Sequence, residues 1–420
     1  MSDLNVSDVL SEASDIYQQI TQTSDQNDNI DNALELVEEV GDSAGGLVQE
    51  GFSSVNTKLL KIVLEDIVGV DLLTTYSVKL EDGMNPTQTK LVMESVKQVV
   101  RDFWQALKNS FNAIWAKLKS WYITVTSASE SLVKKANKIK SRAETLSTTP
   151  TERKFEFKHP ENIQIQRKVN SASLQAGLKT VNTVLEQTLN TRSTNEVENF
   201  IEAAEDALDN FIKNSSASNP DSSWANRFSD LYKPSVNVKT SPLSDVKIKE
   251  QIIYDDKNAE YDITDVMPGD TSIVYSKLKA ESTLPLSEKL GLISARLVKT
   301  TQKEAESTVQ ADTLYPEQVS AICDLVVELN EQITFYEKAW QRRDKFMNKV
   351  LSSLDKSIEK IDNEEVAEGH DKVYKKTTRA ILSAIKRSNT FNASLINYVV
   401  KTSAGALAYC EASISFYKNA

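Results

Sequence analysis

The C-terminal third of the chain carries the apolar pattern that most constrains its fold. After Pro316, apolar residues recur in steps of three and four, the repeat of one helix face. This stripe comprises Val319, Ile322, Val326, Leu329, Ile333, Tyr336 and Trp340, and continues through Met347, Leu351, Leu354, Ile358 and Ile361. A second long stripe follows a polar, glycine-containing stretch at residues 363–371. Two long helices around a short turn predict an antiparallel hairpin over residues 313–420.

The predicted hairpin brings the two cysteines of the chain together. Cys323 and Cys410 lie at almost equal distances along the chain from Val366, near the middle of the predicted turn. They should therefore meet at the same height on opposing helices, as buried thiols rather than as a functional pair. Two cysteines in 420 residues also favour a reducing compartment over a disulfide-stapled, secreted protein.

A second helical stripe lies within residues 93–144, which contain three of the five tryptophans. Its apolar positions alternate steps of four and three: Val100, Trp104, Leu107, Phe111, Ile114, Leu118, Trp121 and Val125. We expect most of this stripe to lie in the core, since the C-terminal hairpin offers a surface to cover it. Ser and Thr cluster at residues 124–131, which indicates a weak point in the helix.

The middle of the chain mixes helical and strand-like patterns. Residues 154–158 alternate polar and apolar side chains, as a short strand does. Helical stripes follow near residues 174–189 and 197–211. β-Branched residues then cluster at 236–239, 246–249, 252–254 and 272–275, with Pro268-Gly269-Asp270 as a turn. These patterns predict a small α+β domain.

The chain as a whole is therefore predicted to be mostly α, with four parts. They are an acidic, partly flexible arm at residues 1–57, a helical region at 58–147, the α+β domain at 148–312 and the hairpin at 313–420. No stretch reaches the roughly 18 uninterrupted apolar residues of a membrane-spanning helix.

The net charge of −11 is concentrated in the N-terminal arm. Residues 1–57 contain twelve Asp and Glu residues and no Lys or Arg, and the first cation is Lys58. Removing these twelve carboxylates would change the net charge from −11 to +1. Two interpretations stay open: a solvated, partly disordered tail, or a removable or regulatory segment.

The motifs of common enzymes and cofactor sites do not occur in the sequence. There is no GxGxxG, GxxxxGK[ST], GxSxG or CxxC pattern. The two histidines, His159 and His370, have no second ligand at helical spacing, so a histidine metal site is not expected. Acidic runs that begin at Asp25 and Asp256 lack the glycine and glutamate of an EF-hand loop. We therefore expect no enzymatic activity and no cofactor.

One basic segment follows the tryptophan-rich stripe and is the candidate contact surface. It comprises Lys134, Lys135, Lys138, Lys140 and Arg142. These residues form either a solvated helix face or a patch that contacts phosphates. The aromatic stripe with its neighbouring lysines would also suit a helix at a bilayer surface, so membrane contact is a weaker alternative.

Three segments together resemble the internal head proteins of large tailed bacteriophages. They are residues 101–122 with 131–144, residues 315–346, beginning YPEQVSAICDLVVELNEQITF, and residues 392–417, beginning NASLINYVVKTSAGALAYC. The resemblance implies a structural protein made in the host cytoplasm and packaged inside the head with the genome. It also implies capsid or scaffold proteins as partners, with genomic DNA a further one, and departure with the DNA.

The resemblance further implies processing by a maturation protease, which in such phages cuts after Glu in a short motif. Leu10-Ser11-Glu12 is similar to that motif, and Val48-Gln49-Glu50 is a looser match. Leu286-Ser287-Glu288 fits as well, so the pattern alone does not select a site. Cleavage after Glu50 would remove the entire acidic arm.

Two rival functions remain compatible with the sequence. An α-helical membrane-active or pore-forming protein would use the long hairpin and the amphipathic tryptophan helix. A coiled-coil structural protein of a tail or baseplate would use the long apolar stripes.

Overall fold

The computed structural model describes residues 86–146, 149–189, 236–240, 259–279, 286–300, 308–336 and 370–417, with a few single positions between and near them. Within some helices only the backbone is described. Of the described residues, 64% are helical and a small part forms sheet, so the protein is mostly α as predicted.

Five helices, six strands and one short 3-10 helix are described. The helices are α1 (Pro86–Ala143), α2 (Ser171–Leu189), α3 (Leu286–Leu292), α4 (Pro316–Phe335) and α5 (His370–Ile414), and the 3-10 helix is Pro160–Asn162. The strands are β1 (Lys154–Lys158), β2 (Val238–Thr240), β3 (Ala259–Thr264), β4 (Thr271–Leu278), β5 (Ser294–Lys299) and β6 (Thr308–Asp312).

Helix α1 contains the tryptophan-rich stripe, and the described side chains of that stripe are buried as predicted. Leu118, Trp121 and Val125 are at most 2% exposed. The remaining stripe residues, from Val100 to Ile114, have side chains outside the described ones. The predicted weak point at residues 124–131 is wrong, because the helix runs through it unbroken. There the Thr126 and Ser131 hydroxyls donate to carbonyls four residues earlier, at 2.9 and 3.0 Å, and so do not interrupt the helix.

The chain divides into two compact units, and the border falls within α1. One unit is Gln18–Ser120, and the other includes Trp121–Ala420. In the larger unit, α2, α3 and β5, which belong to the segment predicted as an α+β domain, are in contact with the C-terminal helices α4 and α5.

Helix α4 packs against both α2 and α5. It begins at Pro316, where the Gln318 side chain accepts the backbone N–H of Tyr315 at 3.0 Å. The predicted stripe is buried from Val319 to Tyr336, and Trp340 and the later positions lie outside the described residues. The periodicity of the sequence therefore identified the face of α4 that forms the core.

Helices α4 and α5 run antiparallel. Cys323 and Cys410 are both fully buried, and burial, together with the neighbouring Cys323 side chain, raises the pKa of the Cys410 thiol. The Asn330 amide donates to the Ser403 hydroxyl at 2.9 Å. Position 323 of α4 therefore lies beside position 410 of α5, and position 330 lies beside position 403. Residue numbers rise along one helix while they fall along the other, which means that the two helices are antiparallel. The predicted meeting of the two cysteines is confirmed, whereas the predicted hairpin turn at residues 363–371 lies almost entirely outside the described residues.

The buried thiols give a test of this helix packing. Burial raises the pKa of the Cys410 thiol, so little reactive thiolate is present at neutral pH. We expect maleimide to label both cysteines at least about 100-fold more slowly in the folded protein than in urea, because labelling requires local opening. A Ser141→Cys variant places a thiol at an exposed position of α1 and serves as the reactive control. Rapid labelling of both native cysteines without denaturant would contradict the packing of α4 on α5.

The strands form two antiparallel sheets. One has the order β2-β3-β4-β5, and the other pairs β1 with β6. Strands predicted at residues 154–158 and 272–275 are confirmed, and the one predicted at 236–239 is confirmed in part by β2. Those at 246–249 and 252–254 lie outside the described residues. The sequence patterns missed β3, β5 and β6.

The β1–β6 pair is fixed to α5 by aromatic side chains. The ring of Phe155 lies 5.0 Å from that of Phe416, and the ring of Phe157 lies 5.5 Å from that of Tyr409, measured between centroids. The Tyr409 hydroxyl donates to the Asp312 carbonyl at the end of β6, at 2.5 Å. These contacts explain why a two-stranded sheet, which is marginal by itself, is held in this structure.

A polar junction around the buried Asp270 connects the turn before β4 to the loop before α2. We call it the Asp270 junction; it comprises residues 164–168, 268–270, Lys299 and Thr300. The Asp270 carboxylate accepts the backbone N–H of Gln166 at 2.5 Å through one oxygen, and its other oxygen is buried without a hydrogen-bond partner among the described residues. The Lys299 ammonium donates to the Gly269 carbonyl, also at 2.5 Å. Asp270 is only 1% exposed, and burial raises the pKa of its carboxyl above the usual range.

Candidate contact surface

The last part of α1, residues 121–143, separates apolar and basic side chains sharply. Ala128, Leu132, Ala136, Ile139 and Ala143 follow one another in steps of three and four, and each is at most 1% exposed. The basic residues lie on the remaining faces of the same turns. Since the apolar face is fully covered, the position of each cation around the helix decides whether it meets α4 and α5 or solvent.

Two of the five predicted surface residues are held in ion pairs with the C-terminal helices. The Lys135 ammonium lies 2.9 Å from the Glu411 carboxylate of α5. The Lys140 ammonium lies 2.6 Å from the Asp324 carboxylate of α4, and this hydrogen bond raises the pKa of Lys140. Both lysines therefore attach α1 to the pair α4–α5, although at half-exposed positions each pair contributes little stability.

The other three predicted residues point to solvent and form what we call the basic ridge: Lys134, Lys138 and Arg142. All three are exposed, and none forms an ion pair with another described residue. They are four residues apart, so successive side chains are separated by about 6 Å along the helix axis. Arg142 lies in the last turn of α1, where a positive charge interacts favourably with the helix dipole. Lys134 and Lys138 are too far from that end for the helix dipole to explain their presence.

Within residues 134–145, every exposed side chain around the basic ridge is polar. Asn137, Ser141 and Thr145 are exposed beside it, with Glu130 and Glu144 near its two ends. Among the described residues, the large exposed apolar side chains are Ile123, about three turns earlier in α1, and Tyr315 and Phe335 near the two ends of α4. The ridge thus offers charge and hydrogen-bond donors without an apolar anchor.

The other predicted site residues, Glu12 and Glu50, lie outside the described residues. The third motif match, Glu288, is described and lies in α3. Within the described part of the chain, no helix is both long enough and apolar enough to cross a bilayer. The same part contains no group of three His, Cys, Asp or Glu residues arranged to hold a metal ion.

The sequence did not reveal which acidic residues form ion pairs with part of the basic segment. Glu411 and Asp324 lie far along the chain from α1, and no local pattern connects them to Lys135 and Lys140. The only available signal was their place on the predicted hairpin helices. The sequence likewise did not single out Asp270, which it placed in an ordinary turn.

Comparison with protein families places the chain among the bacteriophage proteins of the virion interior. Residues 2–412 match the model of the phiKZ-like phage internal head proteins, and the chain belongs to this family. A structural role inside the phage head follows from this membership. Comparisons with curated proteins and with solved structures gave no match.

Proposed function

We propose that this protein is a non-enzymatic structural component that is packaged in the head together with the genome, is processed during maturation and leaves with the DNA. Its partners there are capsid or scaffold proteins and the genomic DNA. The family match over residues 2–412 carries this proposal. The mostly helical fold and the polar, partly basic surface of α1 support a role that depends on contacts rather than on a reaction.

The proposal is tested by the composition of purified particles. Mass spectrometry of mature virions should detect peptides of this chain, and they should remain protected from protease until the heads are opened. Co-sedimentation of the purified protein with capsids would show the capsid partner directly. Absence of the chain from virions would contradict the proposal. Leakage of liposomes caused by the purified protein would favour the membrane-active rival, and recovery in isolated tails would favour the tail or baseplate rival.

Processing by a maturation protease is expected to remove the acidic arm by cleavage after Glu50. The mature chain should then begin at Gly51, with a net charge of +1 instead of −11. Loss of twelve carboxylates would reduce repulsion between this protein and tightly packed DNA. Mass spectrometry of the N-terminal peptide from mature heads measures this directly. Intact chains that still contain Met1 would contradict it, and a new terminus at Ala13 would show that Glu12 is the site instead.

The third match to the protease motif, Leu286-Ser287-Glu288, provides a control for the predicted cleavage. Glu288 has the same preceding residues as Glu12, Leu and Ser, but it lies in the first turn of α3. Helix α3 packs against α5, and its Leu290 is fully buried. A helical backbone cannot extend through a protease active site without unfolding, so we expect no cleavage after Glu288 in mature heads. A Glu50→Gln variant should keep the arm, whereas Glu288→Gln should leave processing unchanged.

A further inference from the structure

The basic ridge is a row of three cations that the fold leaves exposed. The same segment of α1 carries five basic residues, and the tertiary structure uses Lys135 and Lys140 in ion pairs with α5 and α4. Lys134, Lys138 and Arg142 remain on the outer side, one helical turn apart. Three like charges in a row repel one another, so this arrangement does not stabilise the helix by itself.

The chemistry of the ridge selects its partner. A protein interface of useful affinity needs buried apolar or aromatic anchors at its centre. In residues 134–145 of α1, the apolar side chains Ala136, Ile139 and Ala143 are all buried, so the ridge presents only polar groups. Lysine and arginine rows without apolar neighbours fit an evenly spaced anion such as a nucleic-acid backbone, which carries a phosphate at every residue.

We propose that the basic ridge binds the phosphate backbone of double-stranded DNA without reading its sequence. The three side chains span about 12 Å along the helix axis, which is enough to reach several successive phosphates of a duplex. The proposal rests on the proposed packaging of the protein with the genome and assigns the contact to these three residues. The arm of residues 1–57, with twelve carboxylates and no cation, acts against this binding in the full chain.

The contact is tested by the salt dependence of DNA binding. The full-length protein is titrated onto a short fluorescent DNA duplex, and anisotropy is measured at several salt concentrations between about 50 and 200 mM. A triple variant carries Lys134→Gln, Lys138→Gln and Arg142→Gln. Because three phosphate contacts are lost, we expect the slope of log affinity against log salt to become less steep by about 3, with roughly 100-fold weaker binding near 100 mM salt.

A matched variant removes the same charge elsewhere. Arg153, Lys158 and Lys179 are exposed, and none forms an ion pair with another described residue. Changing these three to Gln also removes one Arg and two Lys. It should alter the salt slope by less than about 1, since only long-range charge is lost. Circular dichroism should show unchanged folding for both variants, because all six side chains are on the surface.

The outcomes separate this inference from the proposed function. Equal weakening of binding by both variants, or an unchanged slope in the ridge variant, would overturn it. A full-length variant in which the Asp and Glu residues of the arm are changed to Asn and Gln is measured in parallel. Failure of both this variant and the wild type to bind duplex would also overturn the inference. The proposed function would still hold if the chain is found inside virions, and loss of capsid co-sedimentation in the ridge variant alone would assign the ridge to a protein partner.

Discussion

Replacing Gly177 with alanine is expected to destabilise the protein by about 1–3 kcal/mol, because it overfills a packed contact. Gly177 lies in α2, where a Cβ atom would be 2.7 Å from Cδ of Pro268 and 2.9 Å from Cδ1 of Ile165. The proline ring cannot rotate away, and the Pro268 carbonyl is fixed by the Tyr398 hydroxyl, which donates to it at 2.8 Å. Urea unfolding followed by circular dichroism measures the effect.

The sign of this effect is opposite to that expected for an ordinary helical glycine. Alanine normally favours a helix over glycine by about 1 kcal/mol. Gly291 of α3 provides the control, since a Cβ atom there would meet nothing within 4 Å. Gly291→Ala should therefore leave stability unchanged or raise it by up to about 1 kcal/mol. If Gly177→Ala were as stable as Gly291→Ala, the close approach of α2 to the turn at Pro268 would be wrong.

Replacing Asp270 with alanine is expected to lower the free energy of unfolding by about 1–3 kcal/mol, because the backbone amide of Gln166 loses its acceptor. Gln166 and the following Arg167 have φ angles of 52° and 61°, which are in the left-handed region. Residues other than glycine adopt this region at a cost in free energy, and the bond from Gln166 to Asp270 helps to offset that cost. Asp270→Asn keeps one acceptor oxygen and should lose less. Urea unfolding at neutral pH compares the two variants.

The pH dependence of the same variants tests the burial of the carboxyl. Burial raises the pKa of Asp270, and Lys299 and Arg167 nearby counteract this only in part. A carboxyl whose pKa is higher in the folded than in the unfolded state favours folding when it is protonated, and this contribution is complete below the pKa of the unfolded state. That stability is lost as the pH rises through the folded pKa. The wild type should therefore gain stability relative to Asp270→Asn as the pH is lowered from neutral towards 4. A constant difference across this range would contradict the raised pKa.

The long helices were predictable because their signal is local. In α4, apolar residues three and four positions apart define the buried face without knowledge of any partner. The same repeat in α1 predicted the burial of Leu118, Trp121 and Val125, and all three are buried. Antiparallel packing of α4 on α5 followed from equal arm lengths, which is why Cys323 was correctly placed beside Cys410.

The strands were harder to predict because their partners are distant in sequence. Strand β1 pairs with β6, so Phe155 lies opposite Ala311, and the ring of Phe155 then packs on Tyr409 of α5. Strand β3 reads AEYDIT, in which the two acidic residues Glu260 and Asp262 interrupt the apolar pattern. The buried Asp262 of that strand receives a hydrogen bond from the Lys277 ammonium of β4 at 2.8 Å, a compensation that no local pattern shows.

The sequence by itself determined that the protein is mostly helical, which helix faces form the core and where the negative charge is concentrated. These properties depend on the order of residues within a few helical turns or on composition. Only the tertiary structure decided which cations of the basic segment are free of ion pairs with α4 and α5 and so remain available to bind a partner. Lys135 and Lys140 meet Glu411 and Asp324 because α1 packs on α4 and α5, while Lys134, Lys138 and Arg142 are rotated away from both. That division depends on the angle of one helix against two others, which contacts between distant parts of the chain establish.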